Sequence, residues 1–375
     1  MPSTLLLTND FGPRAGGIET FIIGLLERAP RGEVIVYASH QGDTEEYDQR
    51  WKRDFGVDVI RDRASILLPT PRVIRAATKV MKRHELTKVW FGAAAPLGLS
   101  ARWFRRAGAQ RIIALSHGHE VWWSKIPPFS WLMREIGRNI DQMTYLGEFT
   151  GNAIESRVPK DKLVRIAPGI DVEHFAPTSG REMRVRHGIG NRPTIISVGR
   201  LVHRKGQDRL VEALPRIKSE IPDALLIFVG EGPHRKELEK LSRERNLQND
   251  ILFIGRIDYR DLPSYISMGD VFAMPCRTRL GGLEVEGLGI VYLEASACGL
   301  PVIAGNSGGA PDAVRIGETG FVVDGDNVEE IAGRCIELLK DETLRRKMGE
   351  RGREWIAQEW NWSLWSSRFN EVMEY

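Results

Sequence analysis

Strand-like and helix-like segments alternate along the whole chain, and this alternation limits its fold more than any other feature. The run STLLLTND (residues 3–10) is typical of a buried strand, and a glycine-rich turn and the helical stretch TFIIGLLERA (20–29) follow it. Further strand-like runs come at intervals: VIVYAS, KVWFGA, RIIALSHG and QMTYLGE. Alternation of this kind predicts parallel β-sheets covered by helices, an α/β architecture.

The alternation breaks once, in the segment IAPGIDVEHFAP (residues 166–177), where proline, glycine and aspartate cluster. It restarts with TIISVGR (194–200) and continues through ALLIFVGEG, ILFIGRI, VFAMP, PVIAG and GFVV. A chain of 375 residues is long enough for two hydrophobic cores. We therefore expect two doubly wound α/β domains, residues 1–168 and 169–360, facing a central cleft. Ligands should bind there, beyond the carboxyl ends of the strands.

The stretch from residue 354 to residue 375 has a helical pattern and is rich in tryptophan. It contains Trp355, Trp360, Trp362 and Trp365. So many large aromatic side chains need a surface that covers them. We expect the C-terminal helix, from about residue 361 to residue 375, to dock back on the first domain.

The composition is ordinary for a soluble globular protein, with 42% hydrophobic and 27% charged residues. No stretch approaches the ~20 apolar residues that cross a bilayer. The N-terminus lacks the basic and apolar regions of a signal peptide. The three cysteines, Cys276, Cys298 and Cys335, lack metal-ligand spacing and cannot all pair. These features predict a protein of the reducing cytoplasm.

Basic residues are concentrated in the first part of the chain. Residues 1–170 contain 25 Lys/Arg and 18 Asp/Glu, whereas the remainder contains 28 and 32. Within this part, the segment TPRVIRAATKVMKRH (70–84) places Arg72, Arg75, Lys79 and Lys82 on one helix face, opposite apolar residues. Such a helix can lie on an anionic bilayer, which predicts peripheral attachment at the inner face of the plasma membrane. The alternative is that its apolar face packs into the domain core.

Two glycine-containing loops lie between a strand and a helix. The loop 12–19 brings Gly16 and Gly17 to the start of a helix, where backbone amides can cradle a phosphate, although a tight turn would need the same glycines. This loop lacks both the dinucleotide and the P-loop spacing. The loop 199–206 carries Arg200, Arg204 and Lys205. Such cations suit a diphosphate, and a solvated basic turn is the alternative.

Two signals are weaker. His117 directly follows the strand RIIAL and should reach the cleft, with His119 in support, but a lone histidine is usually structural and a metal site needs more ligands. Gly230-Glu231-Gly232-Pro233 resembles half of a dinucleotide fingerprint, and a turn at the end of a strand explains it equally well.

The segment LEVEGLGIVYLEA (residues 283–295) contains three glutamates, two of which, Glu286 and Glu294, lie on either side of two glycines. If a helix starts near Val291, then Gly289 lies at its N-terminus, where free amides attract anions. In a fully helical segment the two carboxylates would be ~12 Å apart. A hydrolytic pair needs ~5–9.5 Å, so two carboxylates that bind separate hydroxyls of one ligand fit better. Alternatively, Glu286 caps the helix and Glu294 faces solvent.

Taken together and in order, the motifs are similar to those of the family 4 retaining glycosyltransferases. They are GGIE (16–19), HGHE (117–120), GRLVHRKG (199–206), VGEGP (229–233) and Glu286 to Glu294 followed by ACGLPVIA (297–304). The resemblance spans almost the whole chain. It implies the GT-B fold of two Rossmann-like domains. Residues 1–168 and the C-terminal helix would bind the acceptor, and residues 169–360 would bind the nucleotide-sugar donor.

The resemblance also implies a role for each matching residue. Arg200 and Lys205 would hold the donor diphosphate and stabilise the leaving group, and Glu286 would contact the transferred sugar. His117 would lie near that sugar and the attacking hydroxyl, and Glu294 would bind the ribose. The remaining positions would contribute mostly backbone contacts: Gly287, Leu288, Gly289 and Ile290 around sugar and phosphate, Gly16 and Gly17 at the diphosphate, Arg256 and Ile257 at the base.

The chain has Glu286-Gly287-Leu288-Gly289 where the commonest family pattern has Glu-Pro-Phe-Gly. Together with VWFGAAAPL (89–97), SHGHEVWW (116–123) and RTRLGGLEVEGLGIVYLEA (277–295), this departure resembles the phosphatidylinositol mannosyltransferases of the PimB type. That resemblance implies GDP-mannose as donor, a mannosylated phosphatidylinositol as acceptor and front-face transfer with retention. No acidic metal cluster accompanies these motifs, so we expect no metal cofactor.

One other function remains open from the sequence, and two more are disfavoured by it. Base recognition by backbone groups leaves a UDP-sugar-dependent glucosyl- or N-acetylglucosaminyltransferase with a soluble acceptor as an alternative. An NAD-dependent oxidoreductase is disfavoured because the G-x-G-x-x-G motif is missing. A non-catalytic protein that binds sugar nucleotides or nucleic acid is disfavoured, because the charged site residues are present and no nucleic-acid-binding module is recognisable.

Overall fold

Two parallel β-sheets form the centres of two separate units of the chain. The computed structural model describes residues 2–13, 16–118 and 120–374. Unit 1 contains residues 1–169 and 362–375, and unit 2 contains residues 170–361. The central strands are continuous buried apolar runs, as expected for parallel strands that are covered on both faces. The α/β prediction is thereby confirmed.

Seven strands form the sheet of unit 1: β1 (Thr4–Thr8), β2 (Val34–Ala38), β3 (Asp58–Arg61), β4 (Lys88–Phe91), β5 (Arg111–Leu115), β6 (Gln142–Tyr145) and β7 (Leu163–Arg165). They are parallel and lie in the order β3-β2-β1-β4-β5-β6-β7. The chain proceeds from β1 to one edge and then returns to the other side of β1. The carboxyl ends of β1 and β4 therefore mark the switch point at which open α/β sheets bind ligands.

The helices that precede β7 cover this sheet: α1 (Gly17–Leu26), α2 (Glu45–Phe55), α3 (Pro71–Arg83), α4 (Ala101–Arg106), α5 (Glu120–Lys125), α6 (Phe129–Asn139) and α7 (Glu148–Glu155). Short 3₁₀ turns lie at Leu97–Ser100 and Lys160–Lys162. Within the described ranges, no helix combines the length and the apolar content that a membrane-spanning segment requires.

Helix α3, the basic amphipathic segment, packs its apolar face into the core of unit 1. The buried positions are Val73, Ala77 and Met81. The exposed basic positions are Arg75, Lys79 and Lys82. Arg72 instead donates two hydrogen bonds to the Asp62 carboxylate, at 2.9 and 2.7 Å. Of the two alternatives for this helix, the structure shows the one in which the apolar face is covered by the protein itself.

Six strands form the sheet of unit 2: β8 (Thr194–Val198), β9 (Leu225–Val229), β10 (Ile251–Gly255), β11 (Val271–Met274), β12 (Val302–Gly305) and β13 (Gly320–Val323). They are parallel and lie in the order β10-β9-β8-β11-β12-β13. The chain again returns to its starting strand, so the switch point lies between β8 and β11.

The helices of unit 2 are α8 (Arg181–Arg186), α9 (Gln207–Glu220), α10 (Arg235–Glu244), α11 (Leu262–Ile266), α12 (Ile290–Ala297), α13 (Val328–Lys340) and α14 (Glu342–Glu359). Short 3₁₀ turns lie at His203–Lys205, Tyr259–Asp261, Leu280–Gly282 and Ala310–Ala313. Two of these turns, at 203–205 and 280–282, lie in the loops that follow β8 and β11. The loops of the switch point are therefore locally ordered.

Helix α15 (Trp362–Glu374) ends the chain and packs within unit 1. The rings of Trp362 and Phe21 lie 6.3 Å apart, and those of Phe369 and Trp90 lie 4.7 Å apart. A Cβ atom added at Gly24 of α1 would lie 2.2 Å from the Trp362 ring, so the indole occupies the space above this glycine. The predicted docking of the C-terminal helix on the first domain is confirmed.

The tryptophan-rich stretch differs from the single helical segment expected from its pattern. Helix α14 ends at Glu359 and α15 begins at Trp362, so the stretch is divided between the two units. The rings of Trp355 and Trp360 pack edge to face at 5.7 Å within unit 2. Only the later tryptophans contribute to the docking of α15.

Candidate functional site

The loops that follow β8 and β11 are held together at the switch point of unit 2. The backbone N–H of Arg277 donates to the carbonyl of Arg204 at 2.9 Å. Gly206 has a φ of 73°, and a Cβ atom there would lie 2.0 Å from the Pro275 carbonyl oxygen. Glycine is needed at this position for both its left-handed backbone and its close approach to the neighbouring loop.

A buried ion cluster lies where these loops meet. The Glu286 carboxylate is paired with Lys205 at 2.7 Å and with the Arg204 guanidinium. Only 7% of Glu286 and 8% of Lys205 are exposed. Burial acts to raise the pKa of Glu286, but the charges and hydrogen bonds of Lys205 and Arg204 outweigh it and lower that pKa to about 2. Two cations face one ionised carboxylate, so the cluster keeps one net positive charge.

Arg200 lies at the start of the loop that carries this cluster but does not join it. Its side chain is exposed, and within the described ranges it has no ion-pair partner. The sequence prediction named Arg200 and Lys205 as the diphosphate-binding cations. The structure brings Lys205 and Glu286 together and adds Arg204, which the sequence identifies only as one of three cations in the loop.

Helix α12 begins directly after the glycine-rich segment, as expected. Gly289 is its N-cap, with a left-handed φ of 77°, and a Cβ atom there would lie 2.4 Å from the Tyr292 ring. No side chain in the described part of the chain caps the helix, so its first amides are available for a ligand. The backbone of Gly287, Leu288 and Ile290 surrounds this N-cap, in agreement with the predicted helix start. Their contacts with a sugar or phosphate stay a prediction.

Glu294 lies inside α12 and is buried, with 7% of its surface exposed. Burial raises its pKa to about 7, although the charge of Lys205 acts in the opposite direction. Its carboxylate has no hydrogen-bond or ion-pair partner among residues 2–13, 16–118 and 120–374. The alternative in which Glu294 faces solvent is therefore wrong. The alternative in which Glu286 caps the helix is also wrong, because its carboxylate binds Lys205 and Arg204 instead.

Sequence reasoning missed the loop that follows β12. The N–H of Gly309 donates to the carbonyl of Glu286 at 2.9 Å, and a Cβ atom at Gly308 would lie 2.1 Å from the same oxygen. This loop therefore supports the backbone that carries Glu286. The segment Asn306-Ser307-Gly308-Gly309, which directly follows the strand-like run PVIAG, was the signal that could have identified it.

Arg256 and Ile257 directly follow β10, two strands from β8 in the sheet. Arg256 is exposed and Ile257 is partly buried. Two strand spacings correspond to ~10 Å, a separation that suits a base on one side of a nucleotide and its diphosphate on the other. The turn 230–233 follows β9, the strand between β8 and β10. The N–H of Gly230 donates to the Gly255 carbonyl at 2.8 Å. The interpretation of 230–233 as a strand-end turn is confirmed.

The predicted residues of unit 1 lie near its own switch point. Gly16 is the N-cap of α1, Gly17 is its first residue, and a Cβ atom at Gly17 would meet no atom within 4 Å. The Nε2 atom of His117 lies 2.5 Å from the Gly92 carbonyl oxygen at the end of β4. The Phe21 ring of α1 packs edge to face against His117 at 5.8 Å. His119 lies outside the described residues.

Comparison with protein families identifies two matching models. The model described as "Glycosyltransferase Family 4" matches residues 15–174, and the model described as "Glycosyl transferases group 1" matches residues 180–355.

Two curated relatives match nearly the whole chain. A GDP-mannose-dependent alpha-(1-6)-phosphatidylinositol monomannoside mannosyltransferase of Mycolicibacterium smegmatis is 43% identical, over 98% of this chain and 97% of the relative. A GDP-mannose-dependent monoacylated alpha-(1-6)-phosphatidylinositol monomannoside mannosyltransferase of Corynebacterium glutamicum is 40% identical, over 99% of this chain and 97% of the relative.

Solved structures share the architecture at much lower identity. Anabaena HepE in complex with UDP is similar over 100% of both chains, with a TM-score of 0.84 and 19% identity. The lipopolysaccharide glycosyltransferase WaaG is similar over 99% of both chains, with a TM-score of 0.70 and 19% identity. These similarities support the two-sheet fold, and the predicted fold class is confirmed.

Proposed function

Because the chain belongs to glycosyltransferase family 4, we propose that it is a retaining α-mannosyltransferase that transfers mannose from GDP-mannose to a mannosylated phosphatidylinositol lipid. Membership in the family makes it a glycosyltransferase. The donor and the acceptor are those in the names of the relatives from Mycolicibacterium smegmatis and Corynebacterium glutamicum.

The observation that carries this proposal is the buried ion cluster of unit 2. A nucleotide diphosphate gains negative charge as its bond to the sugar breaks, and fixed cations stabilise that charge without rearranging. Lys205 and Arg204 are held in place by Glu286, with one net positive charge between the three. Arg200 is exposed at the start of the same loop and supplies a further cation.

We propose the remaining donor contacts from the resemblance of these motifs to the family, with which the order of the strands is consistent. The Glu286 carboxylate binds hydroxyls of the transferred mannose, and the amides of residues 287–290 bind the sugar and the phosphates. Glu294 binds the ribose hydroxyls through its carboxylate. The backbone at Arg256 and Ile257 binds the guanine base, beyond the end of β10.

Transfer proceeds on one face of the sugar. The bond between the anomeric carbon and the β-phosphate oxygen breaks, and the acceptor oxygen bonds to the anomeric carbon from the same side. The acceptor proton passes to a phosphate oxygen, and GDP leaves.

Unit 1 contributes His117 to the contacts with the sugar and the acceptor, and it contributes Gly16 and Gly17 to the contacts with the diphosphate. The cations of unit 2 neutralise the diphosphate, so we propose that turnover needs no added Mg²⁺ or Mn²⁺.

We also propose that unit 1 contacts an anionic membrane surface, where the lipid acceptor resides. The exposed stripe of α3, formed by Arg75, Lys79 and Lys82, supports this contact. Its apolar face lies in the protein core, so the contact is electrostatic and no side chains insert.

The test is a transfer assay with radiolabelled GDP-mannose, radiolabelled UDP-glucose and a panel of phosphatidylinositol lipids and soluble sugars. We expect label only from GDP-mannose and only in a mannosylated phosphatidylinositol, with an α-linkage that NMR identifies. Preferential use of UDP-glucose would refute the donor assignment. Transfer to soluble sugars alone would refute the lipid acceptor.

A further inference from the structure

Two histidines that are far apart in the sequence meet beside the ion cluster of unit 2. His203 lies in the loop after β8, and His234 lies in the loop after β9, just before α10. Their ring centroids are 3.8 Å apart. The Oε2 atom of Glu237, in the first turn of α10, lies 3.4 Å from Nε2 of His203 and 3.2 Å from Nε2 of His234. Two imidazoles and one carboxylate thus converge on a single point.

Backbone contacts hold these two loops in fixed positions. The N–H of Leu201 donates to the Glu231 carbonyl at 3.0 Å, and the N–H of His234 donates to the Leu201 carbonyl at 3.1 Å. A Cβ atom at Gly232 would lie 2.2 Å from the Leu201 oxygen, so the loops are in direct contact. The positions of both histidines are therefore set before any ligand binds.

Two of the three distances between the ligand atoms match those of a tetrahedral metal site. All of them lie within 4.8 Å of one another. Ligands bound at ~2.0–2.1 Å in a tetrahedron lie ~3.3–3.4 Å apart, close to the distances from Glu237 to His203 and to His234. Neutral imidazole with carboxylate is a ligand set that suits Zn²⁺, whereas Mg²⁺ and Ca²⁺ prefer oxygen ligands alone.

His234 has the character of a buried metal ligand. It is only 4% exposed, and its Nδ1 atom has no hydrogen-bond partner in the described part of the chain.

The Asp208 carboxylate lies near His234 without hydrogen-bonding to it. Its Oδ1 atom is also buried and without a hydrogen-bond partner in the described residues, while its Oδ2 atom accepts from Arg277 at 2.8 Å. The charge of Asp208 acts on His234. With metal at Nε2, the His234 proton resides on Nδ1, and ligating histidines usually donate that proton to a carboxylate or carbonyl.

We propose that His203, His234 and Glu237 bind one Zn²⁺ ion, with water in the fourth position. It ties the 3₁₀ turn of residues 203–205 to the start of α10. Because Arg204 and Lys205 belong to that turn, the ion stabilises the segment that presents the diphosphate-binding cations, without contacting the diphosphate itself.

The test measures Zn²⁺ binding to the full-length chain after chelator treatment and gel filtration, by competition with a chromophoric zinc chelator. We expect one ion per chain and a higher melting temperature in ZnCl₂ than in MgCl₂. His203→Ala and Glu237→Gln alter side chains that are 44% and 64% exposed, so both variants should fold. Each should weaken Zn²⁺ binding at least tenfold.

His40→Ala, which removes an exposed histidine of unit 1, is the matched control and should bind Zn²⁺ like the unaltered chain. The three cysteines are buried and should not compete for the ion. Failure of the unaltered chain to bind Zn²⁺ stoichiometrically would refute the proposal. Unchanged binding by His203→Ala and Glu237→Gln would refute it as well. Neither the measurement of Zn²⁺ binding nor that of the melting temperature depends on transferase activity.

Discussion

Two glutamates of the same segment have opposite pKa shifts because their surroundings differ. Glu286 is buried beside two cations, which overcome burial and lower its pKa to about 2. Glu294 is buried without a paired cation, and its pKa is raised to about 7. The contribution of Glu286 to stability is therefore present above its unfolded pKa of 4.5 and lost as the pH falls towards 2. Glu294 has the opposite dependence.

For Glu294, the folded protein retains a proton between pH 4.5 and about 7 that the unfolded chain releases. The stability from this group is complete below pH 4.5 and is lost as the pH rises through about 7. We expect the unaltered chain to lose about 3 kcal/mol of unfolding free energy, relative to Glu294→Gln, across this range. Urea unfolding of both proteins at several pH values measures this difference. Parallel curves would contradict the buried, unpaired state of Glu294.

Lys205→Ala removes a buried cation from the proposed diphosphate site. We expect turnover to fall by about 10²–10³-fold, because a preorganised charge is lost at the position where charge develops. Steady-state transfer assays measure turnover, and circular dichroism checks that the variant stays folded. The control is Lys340→Ala, since Lys340 forms only a surface ion pair with Glu220. Comparable turnover by the two variants would remove Lys205 from the mechanism.

At the scale of elements, the packing of α15 on α1 depends on a glycine. Gly24→Ala would place a methyl group against the Trp362 ring, so the helices must separate or the indole must move. We expect a loss of about 1–3 kcal/mol of unfolding free energy. Gly333→Ala is the matched control, since Gly333 lies within α13 and an added Cβ atom would meet nothing within 4 Å. Alanine there should be neutral or stabilising by about 0.5–1 kcal/mol.

Chemical denaturation of both glycine variants, followed by tryptophan fluorescence, provides the comparison. Equal stabilities of Gly24→Ala and Gly333→Ala would show that the contact between α1 and α15 contributes little.

Helix α3 retains an exposed basic stripe although its apolar face is buried. The double charge reversal Arg75→Glu, Lys79→Glu should reduce binding to anionic vesicles at least tenfold, since each basic residue near such a surface contributes about 1 kcal/mol. The matched control is Lys236→Glu, Lys240→Glu, at the same spacing on exposed positions of α10 in unit 2. Sedimentation with anionic and neutral vesicles at low and high salt measures the effect. Equal losses in both double variants would indicate a non-specific charge effect.

At the scale of the whole molecule, the same kind of strand order, with a switch point beside the first strand, occurs in both units. In each unit the first strand is central. The next two strands extend the sheet to one edge, and the later strands extend it from the other side of the first strand. The loops at the two switch points carry most of the residues singled out from the sequence. His117, Gly16 and Gly17 lie at the switch point of unit 1, and Lys205 and Glu286 lie at that of unit 2. Strand order therefore explains why, within each unit, motifs from distant segments of the chain lie close together.

The sequence alone determined the α/β class, the docking of the C-terminal helix and the start of the helix after Gly289. These features depend on hydrophobic periodicity and on turn residues, which act between near neighbours in the chain. The order of the motifs also sufficed for the family, because their combination is far more specific than any one of them.

Only the tertiary structure decided which charges meet. It pairs Glu286 with Arg204 and Lys205 and leaves Arg200 exposed, although all three cations occupy one short loop. It also buries Glu294 and brings His203 beside His234. The physical reason is that contacts between loops depend on strand order and on side-chain direction at each strand end, and neither is encoded by the residues next to the loop.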